Sequence, residues 1–357
     1  MKAVILVGGE GTRLRPLTYA VPKQMLPVVE VPLIERVLAH LVAHGVTDVV
    51  LSLGYRPDAF IEAFPDGRCA GASLAYAVEA QPLDTAGAIR FAATEAGIDE
   101  TFLVFNGDVL SDLDISALVA FHRERGAEGT IALTPVEDPS AFGVVPTSDD
   151  GRVQAFIEKP APGTAPTNLI NAGAYVLEPS VLTRIAATGR VNVERETFPA
   201  MVAVGTLFAL ASDRYWIDVG TPDRYLQATV DILNGLRPGV PAPGARRLDG
   251  AGWAAGEHRN EGTVTRSFLG AGAVVGRGGA VATSVVGRGA TVGEDAVVEG
   301  SVLLAGASVE KGADVRDTIV GPRAIVGAGA VLRALSVVGA EVAVPAGAFH
   351  EGARLPA

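Results

Sequence analysis

From Leu269 onward an aliphatic residue returns every sixth position, and occasionally every fifth: Leu269, Val275, Val281, Val286, Val292, Val298, Leu304, Val309, Val315, Val320, Val326, Leu332, Val338 and Val344. Glycine often follows at once (Gly270, Gly276, Gly287, Gly293, Gly321, Gly327, Gly339), and a small or β-branched residue usually stands four places after the aliphatic one. An α-helix asks for a period of about 3.6 and a coiled coil for a heptad, so neither accommodates this spacing. A parallel β-helix does, because each short strand turns a corner and stacks on the coil below. Residues 263–357 are therefore expected to form such a solenoid.

Ahead of it the pattern changes. KAVILV, TDVVLSL, SLAYAV and TFLVFNGD are short apolar runs ended by Gly, Asn or Asp, and they read as strands. LIERVLAHLVAHG and DTAGAIRFAATEAG carry helical spacing and stop at Gly45 and Gly97, where a C-terminal glycine belongs. This alternation predicts a mostly parallel sheet covered on both faces over residues 1–235. Such sheets bind ligands beyond the carboxyl ends of their strands. The Pro- and Gly-dense stretch GLRPGVPAPGARRLDG opens a linker, taken as residues 236–262.

Composition narrows the function. With 40 acidic against 29 basic residues the formal charge is −11, which argues against a nucleic-acid partner, since that needs a basic face. No apolar run reaches the roughly 18–20 residues of a membrane span, and no basic-then-apolar leader precedes the first strand. The single cysteine, Cys69, excludes an internal disulfide framework and is expected to be a buried apolar residue. A cytoplasmic location is the expectation.

In an acidic chain, VGGEGTRLRPLT (7–18) followed by PKQMLP (22–27) is conspicuous: three glycines, two arginines and a lysine crowd behind the first strand. An anionic, bulky ligand laid against bare backbone would use all of them. The stretch is not a P-loop, because GxxxxGK[ST] is absent, and Leu14 stands at the third glycine of a dinucleotide fingerprint. GGxGTRLxPLT followed by PK resembles instead the sugar-nucleotide pyrophosphorylases, a family of nucleotidyltransferases. The resemblance runs over nearly the whole chain. It implies an α/β fold, a Rossmann-like mostly parallel sheet followed by a left-handed parallel β-helix of hexapeptide repeats with three repeats to a coil.

By the same resemblance Gly8, Gly9, Gly11 and Thr12 line the nucleotide, Arg13 spans the β- and γ-phosphates with its planar fork, and Lys23 sits on the phosphates where reaction occurs. YAVEAQPLDTAGA resembles the base-reading segment, with Glu79 on the base edge and Thr85 beside the nucleotide; Asp84 departs from the family's glycine. A carboxylate only accepts, so Glu79 suits the N1–H and N2–H of guanine. Gly107 joins the nucleotide set. Asp108, at the end of TFLVFNGD, and Asp218, in WIDVGTPDRYL, match the pair that holds Mg²⁺, a metal content with one or two carboxylates plus phosphate oxygens and water. Thr221 and Pro222 read as cap and first turn of the helix after Asp218. Glu158 and Lys159 of FIEKPAPG resemble the pair that reads a sugar hydroxyl and the sugar phosphate, and Asn171 and Gly173 match the NAG motif that contacts the hexose. Arg13, Lys23 and Asp108 are the candidate catalytic residues.

NVERETFPAMVAVG resembles the VEKE-x-FP segment of GDP-mannose pyrophosphorylases, so GTP and mannose 1-phosphate are the expected substrates. Glucose 1-phosphate with ATP, UTP or dTTP is the alternative pair. A non-catalytic regulatory or scaffold subunit of the same architecture is the alternative of another class, disfavoured because Arg13, Lys23, Asp108 and Asp218 are all retained. Acyl transfer by the β-helix would call for a histidine base, and none occurs between His258 and His350. His40 and His44 stand one helical turn apart without a Cys or carboxylate cluster, and a surface or packed role is expected. The open coil ends of the β-helix predict a homo-oligomer.

Overall fold

A computed structural model describes residues 1–237, 239–248 and 252–356. Contacts divide the chain into two compact units, Met1–Gly9 with Ile34–Trp216, and Glu10–Leu33 with Ile217–Ala357.

The first unit is built on a mixed sheet. Lys2–Leu6 lies between Asp48–Leu53 and Phe102–Asn106, parallel to both, and Ala72–Val78 extends the parallel set beyond Asp48–Leu53. The strand order therefore reverses at Lys2–Leu6, the kind of switch point at which open α/β sheets hold ligands. Leu169–Leu177 runs antiparallel to both Phe102–Asn106 and Gly129–Pro135, and Leu207–Ala211 pairs in parallel with the latter. Helices Leu33–Ala43 and Asp84–Glu95 occupy the segments with helical spacing. The core joins Val4, Val50, Ile89, Phe102, Val104, Tyr175 and Phe198. Cys69 is a buried free thiol.

In the second unit the sixfold period resolves into three stacked parallel sheets. Strands beginning at Trp253, Arg259 and Thr263 make the first coil, and each pairs with the strand one coil on, at Phe268, Val274 and Ala280. The segment expected as linker thus carries strands at Ala245–Arg247, Trp253–Ala255 and Arg259–Asn260; Pro238 and residues 249–251 of it, like Ala357, lie outside the described residues. One refinement of the period is needed. Leu303, not Leu304, stands in the interior column, since Val286 pairs with Leu303 and Leu303 with Val320. From Leu269 to Val320 each coil is two sixes and a five, whereas the coil from Val320 to Val338 is three sixes. A slip of one residue turns a strand side chain to the other face.

A polar column runs beside the aliphatic ones. Ser267, Ser284, Ser301, Thr318 and Ser336 are buried, and each hydroxyl donates to a carbonyl two or three residues back. The same hydroxyls of Ser267, Ser284 and Ser301 accept the N–H of the next member, 17 residues on, at 3.0 Å. Backbone groups at this corner, left by the turning strands, are thereby satisfied inside the solenoid.

Candidate active site

Gly8 and Gly9 leave the first strand exposed, beyond its carboxyl end. A Cβ on Gly8 would lie 3.5 Å from Gly54 N and 3.8 Å from Glu79 Oε1, so the glycine keeps bare backbone next to the Glu79 carboxylate. Glu79 is also an organiser of its own loop: Oε1 accepts the Ser52 hydroxyl at 3.2 Å and Oε2 the Leu83 N–H at 3.0 Å. Each carboxylate oxygen has a second lone pair, so these bonds orient the group without exhausting it as an acceptor.

Asp84 follows with φ 60°, a left-handed backbone that explains the family's glycine. Its Oδ1 accepts the N–H of Thr85 at 2.8 Å and the amide of Asn192 at 3.1 Å. Thr85 turns its hydroxyl the same way, accepting the Val193 N–H at 2.8 Å and donating to Glu194 Oε2 at 3.2 Å. The start of helix Asp84–Glu95 is therefore clasped to residues 192–194, where the chain makes a π-helical turn, Val193–Thr197. The hydroxyl of Thr85, placed beside the nucleotide by resemblance, is engaged within the chain. Asn192 and Glu194 carry this clasp and had no assigned role; the NVERE segment was the available signal.

Burial, then the neighbouring Glu158 and Asp84, raise the Glu194 carboxyl above the usual carboxylate range. Tyr175, fully buried, is pushed up by its burial and by Glu194, Glu158 and Asp108 around it, while Asn171 Nδ2 donates to its hydroxyl at 2.8 Å. The NAG motif is a β-bulge, because the register against Gly129–Pro135 shifts between Asn171 and Tyr175. Gly173 has φ 73°, and a Cβ there would sit 2.6 Å from Asn106 Nδ2. Asn171 Oδ1 accepts the Gly173 N–H at 2.9 Å. Lys159 is exposed, with Nζ 3.6 Å from Glu158 Oε1. Gly107 is buried, and its N–H donates to Leu6 O at 3.0 Å. Asp108 follows directly and does not cap the next helix; Asp114 does, accepting the Ala117 N–H at 2.9 Å. His40 Nε2 bonds Leu113 O and His44 Nδ1 bonds Ser116 Oγ, at 2.9 and 3.0 Å, so both are packing groups.

Arg13, Lys23 and Asp218 belong to the second unit. Gly11, at φ 62°, is closed in by its own loop: a Cβ would meet Thr18 Cγ2 at 3.0 Å and Lys23 Cβ at 3.1 Å. The Thr18 hydroxyl donates to Gly11 O at 2.8 Å. Short 3-10 turns, Thr12–Leu14 and Lys23–Met25, then present Arg13 and Lys23. A Cβ on Gly220 would lie 2.7 Å from Arg13 Nη2 and 2.8 Å from Asp218 Oδ1. Guanidinium and carboxylate therefore close over one point that only glycine leaves open. Thr221 stands at the N-cap but makes no side-chain capping bond, contrary to expectation, while Pro222 takes the first turn. Its extended backbone already lets the proline start the helix.

Among the described residues no group of three or more His, Cys, Asp or Glu is placed to hold a metal. Mg²⁺ takes few protein carboxylates and keeps phosphate and water ligands. The hard oxygens of Asp108 and Asp218, the latter beside the cradle at Gly220, are donors of the right kind. No described helix is long and apolar enough to cross a membrane.

The nucleotidyl transferase family profile matches residues 2–235, and a GMPPB C-terminal domain profile matches residues 263–355. A mannose-1-phosphate guanylyltransferase of Mycobacterium tuberculosis is 42% identical over 282 residues, 77% of each chain. A mannose-1-phosphate guanyltransferase of Schizosaccharomyces pombe is 42% identical over 258 residues, 70% of each. Among solved structures, HddC from Yersinia pseudotuberculosis complexed with GMP-PN is 28% identical, with a TM-score of 0.56 over 64% of this chain and 97% of that one. The loop geometry, the two-part build and these likenesses agree, and the chain belongs to the nucleotidyl transferase family, alongside its mannose-1-phosphate guanylyltransferases.

Proposed function

We propose that the chain is a mannose-1-phosphate guanylyltransferase that joins GTP and mannose 1-phosphate into GDP-mannose and releases pyrophosphate. The convergence of Arg13 and Asp218 over Gly220 carries the reaction class, since it brings a planar cation of the glycine-rich loop beside a hard anion at the end of strand Trp216–Asp218. The names of the 42% identical relatives and the NVERE segment support the substrate pair.

A phosphate oxygen of the sugar 1-phosphate attacks the α-phosphorus of the triphosphate in line, and pyrophosphate leaves. The monoester is already anionic, so no general base is required. What remains is alignment and repulsion between anions. Gly8, Gly9, Gly11, Thr12, Thr85 and Gly107 line the nucleotide and Glu79 accepts from guanine. Arg13 and Lys23 grip the phosphates, while Glu158, Lys159, Asn171 and Gly173 hold the sugar phosphate. Asp108 and Asp218 would hold Mg²⁺, which when bound neutralises phosphate charge and orients the leaving group. Residues 1–235 are the catalytic part; the β-helix is structural and serves assembly of a homo-oligomer in the cytoplasm.

Turnover should be measured with GTP, ATP, UTP and dTTP, each against mannose and glucose 1-phosphate, with pyrophosphate as readout. GTP with mannose 1-phosphate should give the highest kcat/KM. Preference for glucose 1-phosphate with another nucleotide would transfer the assignment to that pair, and silence with every pair would favour a regulatory subunit. Lys23→Ala and Asp108→Ala should each lower kcat by about 100-fold or more, the scale of losing one charge-stabilising group.

A further inference from the structure

The substrate loop ends in a small hairpin, Pro27–Val28 against Val31–Pro32, whose tip is Val29–Glu30. Both tip residues have positive φ, 48° and 65°, and Val29 is buried. A two-residue turn of that form favours Asn–Gly, and a β-branched residue is its worst occupant. A strained tip persists only where its surroundings hold it.

What holds it is the β-helix. Glu30 Oε1 accepts the backbone N–H of Arg288 at 2.7 Å, across 258 residues of sequence. A Cβ on Gly270 would lie 2.9 Å from Glu30 Oε2, and one on Gly287 would lie 3.0 Å from Oε1. The carboxylate thus rests on bare backbone at the corners of two successive coils. The other end of the loop touches the same row of corners, since a Cβ on Gly339 would meet Pro16 Cβ at 3.3 Å. Tyr225, from helix Pro222–Leu233, donates its hydroxyl to Pro27 O at the hairpin base. Arg13 and Lys23 flank Pro16 within this pinned stretch, and the N–H of Leu33 returns to Leu26 O at 3.1 Å.

We propose that Glu30 is a positioning residue for nucleotide transfer: it anchors the loop carrying Arg13 and Lys23 to the corner of the β-helix, making the solenoid part of the catalytic framework. The proposal rests on the assignment of Arg13 and Lys23 to the triphosphate. Removing the anchor frees the tip to relax and the turn at Lys23–Met25 to move. The sugar-phosphate residues lie on other segments and keep their geometry.

The test uses the full chain. Glu30→Ala should lower kcat/KM for GTP by about tenfold or more, the scale of a small misplacement, while KM for mannose 1-phosphate stays within about twofold. Glu30→Gln should recover most of the loss, since its amide oxygen still accepts from Arg288. Replacing Val29–Glu30 by Asn–Gly separates local from long-range effects: it relieves the turn yet lacks the anchor, and should stay as slow as Glu30→Ala. The idea is overturned if Asn–Gly restores the wild-type rate, if Glu30→Ala leaves GTP kinetics unchanged, or if both substrates' KM values rise alike. Amide exchange at Met25 and Leu26 judges the anchor without turnover. It should quicken in Glu30→Ala, and unchanged exchange would reject the anchor even if the wild-type chain proved inactive with every substrate pair. That last result would fell the functional assignment separately.

Discussion

Asp84 shows how a single residue can keep a conformation while replacing the amino acid that usually supplies it. Its left-handed φ costs about 1–2 kcal/mol for an ordinary L-residue, less for aspartate, whose side chain can bond locally. Here Thr85 N–H and Asn192 supply those bonds. Asp84→Gly, which loses them but relieves the backbone, should leave stability within about 1 kcal/mol of wild type. Asp84→Ala loses the bonds and keeps the strain, and should cost about 1–3 kcal/mol in urea unfolding. Equal stabilities of the two variants would contradict this account. The glycines and the charged residues of the loop stand out in the sequence because their types would suit an anionic ligand. The clasp from Asp84 and Thr85 to Asn192 and Glu194 was not, because its partners lie more than 100 residues apart and bond through geometry that no spacing rule encodes.

At the level of elements, strand and helix positions followed from apolar periodicity, and the solenoid from its sixfold return. What periodicity cannot express is how elements are tied. Glu128 ties three: it precedes strand Gly129–Pro135, accepts Thr206 Oγ1 just before strand Leu207–Ala211, and takes Arg184 Nε and Nη2, each at 2.8 Å, with Ser180 from the turn Pro179–Arg184. The Arg184 bonds, with help from Thr206 and Ser180 and against some burial, hold its carboxyl below the usual range. A folded pKa below the unfolded one adds stability that is whole above the unfolded value and fades as pH falls through the folded one. Glu128→Gln should therefore be about 1.5–3 kcal/mol less stable at pH 7. The gap should close as pH drops below about 4. Unfolding midpoints at both pH values measure it, and a gap independent of pH would show that charge plays no part.

Across the whole molecule the β-helix serves both the fold and, as proposed above, the seating of the loop that carries Arg13 and Lys23. Folding is served by apolar columns, the hydroxyl ladder and sheet pairing, and no described cluster of three or more metal-binding side chains contributes. Under the proposed Mg²⁺ site at Asp108 and Asp218, chelation with EDTA should abolish turnover and leave the melting temperature within about 1 °C; a matching fall in both would reveal a structural metal. The architecture was legible in the sequence, whereas the seat of the loop from Gly11 to Glu30 on the coil corners was not, because corner glycines look like mere members of the repeat. That seat has a consequence for how such a chain can vary. Successive corners after Gly287 fall at Leu304, Gly321 and Gly339, so Glu30 and Pro16 bear on points three turns apart. One more turn inserted between them would widen that interval by about 4.8 Å, while the stretch from Pro16 to Glu30 keeps its length. The solenoid can grow past its far end, but over those three turns it is a gauge cut to fit.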